Sequence, residues 1–180
     1  SYHELDFSNI EKIENNAFKN YDNFEKVKLN SVKIIGFAAF ESCKNLKTID
    51  LPNCEEIDQD AFKDCINLEN ILLPKLISIG VGAFQNTGLK KVELNSVTIL
   101  YQNNGNLGKQ FAGCSKLTHI TMTNIRWTQP YMFENCTNLI YVNMPLLNIV
   151  SRNTFQRCSS LKNVEFPMLE YIHKEAFDSS

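Results

Sequence analysis

The chain has 180 residues, 43% of them hydrophobic, and a formal net charge of −2 at pH 7. This length corresponds to about one domain, and the slight acidic excess argues against a protein that binds nucleic acid through its phosphates. The sequence contains no run of about 18 apolar residues, so no membrane-spanning helix is predicted. We also find no signal peptide at the start and no linker that would divide residues 1–180.

Phenylalanine recurs along the chain at nearly constant intervals. Eight of the twelve Phe form this series: Phe18, Phe40, Phe62, Phe84, Phe111, Phe133, Phe155 and Phe177. The interval is 22 residues in six cases and 27 in the other, and Ala precedes the Phe in five of the eight copies. A repeat of this length predicts a solenoid, in which stacked units bury a core that no single unit could bury alone.

Other apolar positions recur within each repeat, as the second copy shows. Leu46 lies six residues after the repeat Phe, and Ile49 and Leu51 follow it. This L-x-x-I-x-L motif predicts a short strand with one buried face, and the Pro that follows it in four repeats would end the strand. Leu89 comes one residue early. A partial copy precedes the series, with apolar residues Tyr2, Leu5, Phe7, Ile10 and Ile13.

The repeat resembles the leucine-rich repeat of the Treponema pallidum type, which is found in BspA-like surface proteins of bacteria and some protozoa. Segments LKTIDLPNCEEI (46–57) and IGVGAFQNTGL (79–89) carry its pattern, although the unit is one residue shorter than usual. The resemblance implies an α/β repeat solenoid, a right-handed superhelix of about eight 22-residue repeats. A parallel β-sheet would form its concave face, and short helices or turns its convex face. Residues 1–180 would form one leucine-rich-repeat domain, a fragment of a longer array.

The six cysteines could suggest disulfides or a zinc site, but their positions favour neither. Five lie three residues after a repeat Phe: Cys43, Cys65, Cys114, Cys136 and Cys158. No C-x-x-C pair is present, which argues against zinc. Equivalent side chains of stacked units run parallel, which suits a row of buried thiols better than disulfide bridges. We therefore predict reduced, buried cysteines, with Cys54 in a separate apolar position of the core.

The sequence gives no indication of catalysis or of a cofactor. His3, His119 and His173 occupy unrelated positions of the repeat, and neither HExxH nor a phosphate-binding loop is present. The cysteines, which are predicted to be buried, are unsuited to a Cys–His nucleophile. We predict a protein that is not an enzyme and binds no cofactor or metal.

A ligand would contact the outward-facing side chains of the predicted strands, because alternate residues of a strand point to opposite faces. These positions vary while their neighbours repeat, and the middle repeats combine apolar, aromatic and hydrogen-bonding groups suited to an interface. The predicted ligand-binding residues on the concave face are Asn70, Leu72, Lys91, Glu93, His119, Thr121, Tyr141 and Asn143. The alternative for any one of them is an ordinary solvated side chain.

Two irregularities stand apart from the repeat. The 27-residue interval contains YQNNGNLGKQF (101–111), in which Asn103–Asn104–Gly105 predicts a turn. The extra residues should bulge outward, either as a functional loop or as a tolerated insertion. The only tryptophan, Trp127, occupies a position that is apolar in half of the repeats, which predicts partial burial.

These observations predict a binding module with a protein or glycan ligand, and neither nucleic acid binding nor membrane insertion. By resemblance, the module would lie at the cell surface or outside the cell and would mediate adhesion to host proteins, matrix components or other microbes. The alternative is a structural spacer within a longer array, with no ligand of its own. No dedicated cap is recognisable at either end of the repeats, so self-association through uncapped ends is a further expectation.

Overall fold

The computed structural model describes residue 7 and residues 9–105 and 107–178. These residues form short strands and turns. In chain order the strands are β1 (Lys12–Ile13), β2 (Lys26–Lys28), β3 (Ile34–Ile35), β4 (Thr48–Asp50), β5 (Glu56–Ile57), β6 (Asn70–Leu72), β7 (Ser78–Ile79), β8 (Lys91–Glu93), β9 (Ile99–Leu100), β10 (His119–Thr121), β11 (Tyr141–Asn143), β12 (Ile149–Val150), β13 (Asn163–Glu165) and β14 (Tyr171–Ile172). Across the described ranges, no helix has the length and apolarity to cross a membrane.

Each turn of the solenoid contributes to two parallel sheets. The three-residue strands pair in the orders β2-β4-β6 and β8-β10-β11-β13, and we call these strands together the first sheet. The two-residue strands pair in the orders β1-β3-β5-β7-β9 and β12-β14, and we call these the second sheet. Trp127 extends β12-β14 through a single bridge to Ile149. Register is kept from turn to turn: Ile120, for example, pairs with both Val92 and Val142.

The first sheet is the parallel sheet that the repeat predicts, but the second sheet was not predicted. A strand of two residues is too short to show alternation, so its signal in the sequence is only one recurring apolar position. That position holds Ile13, Ile35, Ile57, Ile79, Leu100, Val150 and Ile172. All but the last are buried. The core therefore lies between two sheets.

One detail of the predicted architecture, the number of turns, needs correction, and the choice between helices and turns that the prediction left open is decided. The first sheet has seven strands among the described residues, so the solenoid has about seven turns there and not eight. Part of the N-terminal partial copy, including Tyr2 and Leu5, lies outside the described residues. The side away from the sheets is built of turns, and the described residues contain no helix.

The absence of helices has a local cause. Fifteen of the described residues have a positive φ, and they occupy two positions that recur from turn to turn. The two sets are Asn16, Ala38, Asp60, Gly82, Lys109, Tyr131, Asn153 and Glu175, and Asn20, Ser42, Asp64, Asn86, Gly113, Asn135 and Arg157. Asn, Asp and Gly hold nine of the fifteen, and these types enter the left-handed region most readily. A left-handed residue reverses the chain direction locally and cannot continue a right-handed helix.

The repeat phenylalanines form one continuous stack through the core. Neighbouring ring centroids from Phe18 to Phe177 are 5.1 to 5.6 Å apart, and their planes differ by 23° or less. These distances are within the range for stacked aromatic rings. Phe84 and Phe111 are 5.2 Å apart despite the 27-residue interval. The extra residues therefore bulge away from the core, as the sequence predicts.

The cysteines form a second row beside the phenylalanine stack. The thiol of Cys65 donates a hydrogen bond to the carbonyl of Phe40 in the preceding turn (2.9 Å). The same bond recurs at Cys43, Cys114, Cys136 and Cys158, with sulfur–oxygen distances of 3.0 to 3.1 Å. All six cysteines are buried and unbridged, which confirms the predicted row of thiols.

Each sheet is interrupted once, and the two interruptions lie at different places. The first sheet is broken between β6 and β8, where the segment Thr87–Gly88–Leu89 makes the turn one residue shorter, and we call this gap the first break. The gap in the second sheet is the second break. The second sheet is broken between β9 and Trp127, where the insertion lies. At the second break the side-chain amides of Gln129 and Gln110 donate to the carbonyls of Leu100 (3.0 Å) and Tyr101 (2.6 Å). These bonds satisfy backbone carbonyls next to the gap in the ladder.

Candidate functional site

Six of the eight predicted ligand-binding residues lie together on the first sheet. In β8-β10-β11, His119 is paired in register with Lys91 on one side and Tyr141 on the other. Thr121 is paired in the same way with Glu93 and Asn143. In each of these strands the central residue is buried. The residues on either side of it, which are these six, therefore point away from the core.

Asn70 and Leu72 belong to a different part of the first sheet. They lie on β6, which pairs with β4 and is separated from β8 by the first break. Both are exposed, and Leu72 keeps 49% of its surface exposed. The structure therefore divides the predicted set into a group of six and a group of two.

An aromatic pair occupies the centre of the group of six. The rings of His119 and Tyr141 are 5.8 Å apart and tilted by 44°. The Tyr141 hydroxyl donates a hydrogen bond to Oε1 of Glu165 on β13 (3.0 Å). This bond raises the pKa of Tyr141, because it stabilises the protonated hydroxyl. Nδ1 of His119 lies 2.9 Å from Oγ1 of Thr118, so both rings are held by polar contacts.

One acceptor beside this pair has no partner within the described residues. Oδ1 of Asn143 is buried and makes no hydrogen bond there. An unpaired buried carbonyl has a free-energy cost that a donor from a ligand or a water would remove. Asn143 therefore carries an unsatisfied carbonyl that is shielded from solvent, and a ligand donor would reach it only after the side chain moves.

Lysines border the same surface at the start of the strands. Lys91, Lys116 and Ile140 are among the residues that line an open groove of about 450 Å³. The Glu69 carboxylate lies 2.7 Å from the ammonium of Lys90 and 3.6 Å from that of Lys116. The hydrogen bond from Lys90 is the main cause of the lowered pKa of Glu69. These ion pairs cross the first break, where backbone pairing is lost.

The insertion forms a compact exposed turn. Oδ1 of Asn103 accepts hydrogen bonds from the backbone amides of Gly105 (3.0 Å) and Leu107 (3.1 Å). The backbone amide of Asn103 donates to the carbonyl of Leu107 (3.1 Å). The predicted turn is present, and residues 101–105 are all exposed.

The second sheet carries an apolar surface that the sequence reasoning missed. Its outward positions in the last four turns hold Ile99, Trp127, Ile149 and Tyr171, whose exposed fractions are 43%, 51%, 42% and 56%. Trp127 is therefore more exposed than the predicted partial burial suggested, because it lies on the outer face of a sheet. The available signal was the recurrence of large apolar residues directly before the buried position of each turn.

The pKa values of the thiols differ along the row: a hydrogen bond with Cys65 lowers that of the buried Cys43, whereas those of the later thiols are raised. Burial raises the pKa of Cys114 to about 11 and that of Cys158 to about 12, which keeps both protonated and unreactive. His119 lies on the outer face of the first sheet and His173 directly follows β14, whereas His3 lies outside the described residues. In the part of the chain that the structure describes, no group of three His, Cys, Asp or Glu could hold a metal ion.

Comparison with known proteins identifies the repeat. The model of the BspA type leucine rich repeat region matches residues 2–107 and 103–180. A leucine-rich repeat protein from Bacteroides ovatus has a similar structure, with a TM-score of 0.75 and 29% identity over 94% of this chain. The Treponema pallidum leucine rich repeat protein gives a TM-score of 0.73 and 29% identity over 85% of this chain, which corresponds to 72% of its own length.

A third similar structure is a leucine-rich repeat protein from Eubacterium ventriosum, with a TM-score of 0.73 and 25% identity over 88% of this chain. The chain spans 46% of the Bacteroides ovatus protein and 43% of the Eubacterium ventriosum protein. It is therefore similar to less than half of each of these two chains. Among curated protein sequences, none matches significantly.

Proposed function

Since the chain belongs to the BspA-type leucine-rich repeat family, we propose that it is a non-enzymatic interaction module of a cell-surface or secreted protein. Repeats of this family serve as protein-interaction or structural modules. We place the ligand, a host or matrix protein, on the outer face of β8, β10 and β11. Adhesion would be the role of the whole surface protein.

The observation that carries this proposal is the alignment of six varied side chains on three neighbouring strands. The aromatic pair His119 and Tyr141 offers amphipathic surface of the kind found at the centre of interfaces. Beside it, Asn143 has an unpaired carbonyl that a rotation of its side chain would expose to a ligand. Lys91 and Glu93 add charges of both signs at the edge, where charges guide orientation more than they add affinity.

The buried thiols are compatible with a location outside the cell as well as with one inside it. Unbridged cysteines are uncommon in oxidising compartments, but here all six are buried. A buried and protonated thiol neither attacks a disulfide nor oxidises readily. The cysteine row can therefore persist in an oxidising environment without forming bridges.

Binding of the purified chain to an immobilised panel of matrix proteins and mucins tests the proposal. The His119→Asp, Tyr141→Asp double variant should lose binding, because it places two charges at the centre of the contact surface. The matched control is Ser115→Asp, Thr137→Asp, which adds the same charges to the same two turns at exposed positions away from the sheet. Thermal unfolding of both variants checks that the fold is kept.

The outcomes separate the binding module from a spacer. Loss of binding in the first variant alone supports a ligand site on the first sheet. Equal binding by both variants would move the site elsewhere. Absence of binding to every member of the panel would favour the structural spacer, which should tolerate charge changes over its whole surface.

A further inference from the structure

The outward side of the second sheet changes character along the solenoid. In the earlier turns its positions hold Ile34, Glu56 and Ser78, and Ser78 is only 5% exposed. In the last four turns they hold the exposed apolar residues Ile99, Trp127, Ile149 and Tyr171. Trp127, Ile149 and Tyr171 are paired in register in neighbouring turns, whereas Ile99 lies beyond the gap between β9 and Trp127. We call these three residues the apolar strip, and a large exposed apolar patch commonly marks a binding site.

A groove runs beside this strip, and its volume is about 570 Å³. Trp127 and Ile149 form its apolar wall, and the corner residues that follow Trp127, β12 and β14 complete it. Gln102, at the start of the insertion, also lines it. The volume falls within the range of sites that bind small molecules or short oligomers.

The floor of the groove is held by hydrogen bonds. Oγ1 of Thr128 lies 2.9 Å from Oγ1 of Thr154 and accepts a hydrogen bond from the backbone amide of Ser151 (2.9 Å). The side chain of Gln129 is fixed by its bond to the carbonyl of Leu100. Thr128, Thr154 and Gln129 are buried, so the groove is formed before any ligand enters, which lowers the entropy cost of binding.

The charged side chains around the groove are mainly positive. Arg152 and Lys174 line it together with one acidic residue, Glu175. Within the described ranges neither cation has a carboxylate within 4.0 Å. The guanidinium of Arg152 lies 5.8 Å from the ring centroid of Tyr131, an arrangement that positions the cation and leaves its hydrogen-bond donors available.

We propose that this groove binds an anionic glycan whose sugar units carry carboxylate or sulfate groups. Trp127 and Ile149, which line the groove, would contact the apolar C–H faces of the sugars, and Tyr171, paired with Ile149, would extend this contact along the sheet. Arg152 and Lys174 would bind the anionic groups. Arginine and lysine form strong charge-assisted hydrogen bonds with such oxygens. This site lies on the second sheet and is separate from the protein-binding surface proposed for the first sheet.

The spacing of the strip favours a glycan over an extended peptide. Equivalent side chains of neighbouring turns are about 4.8 Å apart, the distance between paired strands, which is close to the length of one pyranose unit. Side chains on one side of an extended peptide are roughly 6.8 Å apart, twice the rise per residue. The repeat length of a glycan lying along Trp127, Ile149 and Tyr171 would therefore match the spacing of the turns, whereas that of an extended peptide would not.

Trp127 supplies the measurement, because it is the only tryptophan in the chain and it lines the groove. Its fluorescence would be followed while the purified chain is titrated with four probes: an oligogalacturonate, a heparin-derived oligosaccharide, a neutral cello-oligosaccharide and a polyglutamate peptide. We expect a saturable change in emission with the oligogalacturonate or the heparin oligosaccharide. The better of the two identifies the anionic group, and added salt should weaken its binding.

Two double variants test the assignment of the cations. Arg152→Gln, Lys174→Gln should weaken binding of the anionic probe at least about tenfold, since it removes two charged donors. Lys44→Gln, Lys162→Gln removes the same charge from exposed positions elsewhere and should bind like the unmodified chain. The His119→Asp, Tyr141→Asp variant should also bind normally, so failure of this proposal is distinguishable from failure of the first.

Three results would overturn the proposal. One is unchanged Trp127 emission with both anionic oligosaccharides up to millimolar concentration. Another is equal affinity of the unmodified chain and the Arg152→Gln, Lys174→Gln variant. The third is binding of the neutral oligosaccharide or of polyglutamate at least as tight as that of the anionic glycans, which would assign the groove to a different class of ligand.

Discussion

The two sheets of the solenoid are alike on the inside and different on the outside. The inward residues of both are buried aliphatic side chains in one shared core, such as Ile120 and Val142 in the first and Ile57 and Val150 in the second. Outward, the first sheet presents mainly polar and charged groups, with Leu72 and Tyr141 as exceptions, whereas the last turns of the second present Trp127 and other exposed apolar residues. Packing dictates the inner positions of both sheets, so only their outer positions are free to differ.

This contrast separates the residues that hold the fold from those that can carry function. Inner positions must match the residues of the turns above and below, which explains their repetition. Outer positions contact water or a ligand, so a large apolar residue there gains little from folding. Four predictions test this division, and they follow in order of decreasing effect.

Removal of a ring from the shared core should have the largest effect. Phe133→Ala should lower the free energy of unfolding by about 3–5 kcal/mol, because Phe133 is fully buried and stacks on a ring in each neighbouring turn. Phe177→Ala, in the last described turn, should cost less, since Phe177 is only partly buried. Urea unfolding measures both. Equal losses for the two variants would contradict a core that is tightest in its middle.

The cysteine row tests the side of the solenoid that has no strands. At pH 8 the native thiols other than Cys43 should react with a disulfide reagent at least about 100-fold more slowly than in denaturant, because their pKa values are raised, whereas a hydrogen bond with Cys65 lowers the pKa of Cys43. Burial raises the pKa of Cys114 from 9.0 to about 11, and two pH units correspond to about a 100-fold lower thiolate fraction. Rapid reaction of several thiols in the folded protein would show that this side opens to solvent.

Trp127 tests the outer face of the second sheet. Trp127→Ala should lower the free energy of unfolding by less than about 1 kcal/mol, whereas the same change in a core costs about 3–5 kcal/mol. The reason is that half of the Trp127 surface is already exposed. Thermal and urea unfolding give the value. A loss of core magnitude would mean that Trp127 is a packing residue and would weaken the case for a binding strip.

The smallest effect concerns the ion pairs that cross the first break. The hydrogen bond from Lys90 lowers the pKa of Glu69 below 4.5, so the stabilisation is present above pH 4.5 and is lost as the pH falls through the folded pKa. Glu69→Gln should therefore remove a small acid-dependent part of the stability. Unfolding curves between about pH 6 and 3 measure it, with Glu170→Gln as an exposed control. An unchanged pH profile would show that the pairs contribute nothing.

The repeat made most of the fold predictable. The spacing of Phe predicted the solenoid, the L-x-x-I-x-L motif predicted the first sheet, and the shared position of five Cys predicted their burial. The second sheet was missed because its strands have two residues and no alternation. Helices were left open as an option, and the positive φ at positions such as Tyr131 and Arg157 could not be read from residue types that seldom adopt it.

The candidate sites were less predictable than the fold. The outward set on the first sheet follows from alternation alone, and its register places six of the eight residues together. The first break separates Asn70 and Leu72 from the others, and it comes from the loss of one residue near Gly88, whose effect on pairing depends on three-dimensional contacts. The recurrence of large apolar residues before the buried position was a signal for the apolar residues near Trp127, but the groove itself depends on the second sheet and its corners, which the sequence did not predict. The ligand of either surface stays a prediction.

The two breaks have a mechanical consequence, because they never fall between the same pair of turns. Where the first sheet is interrupted, β7 and β9 remain paired, and where the second is interrupted, β8 and β10 remain paired. Because the breaks are staggered, each turn beside a break is still joined to the next turn by backbone pairing in one of the two sheets. A force along the solenoid axis would therefore act against paired strands at both breaks. Residues can also be inserted or deleted at one corner of a turn while the other sheet keeps neighbouring turns joined.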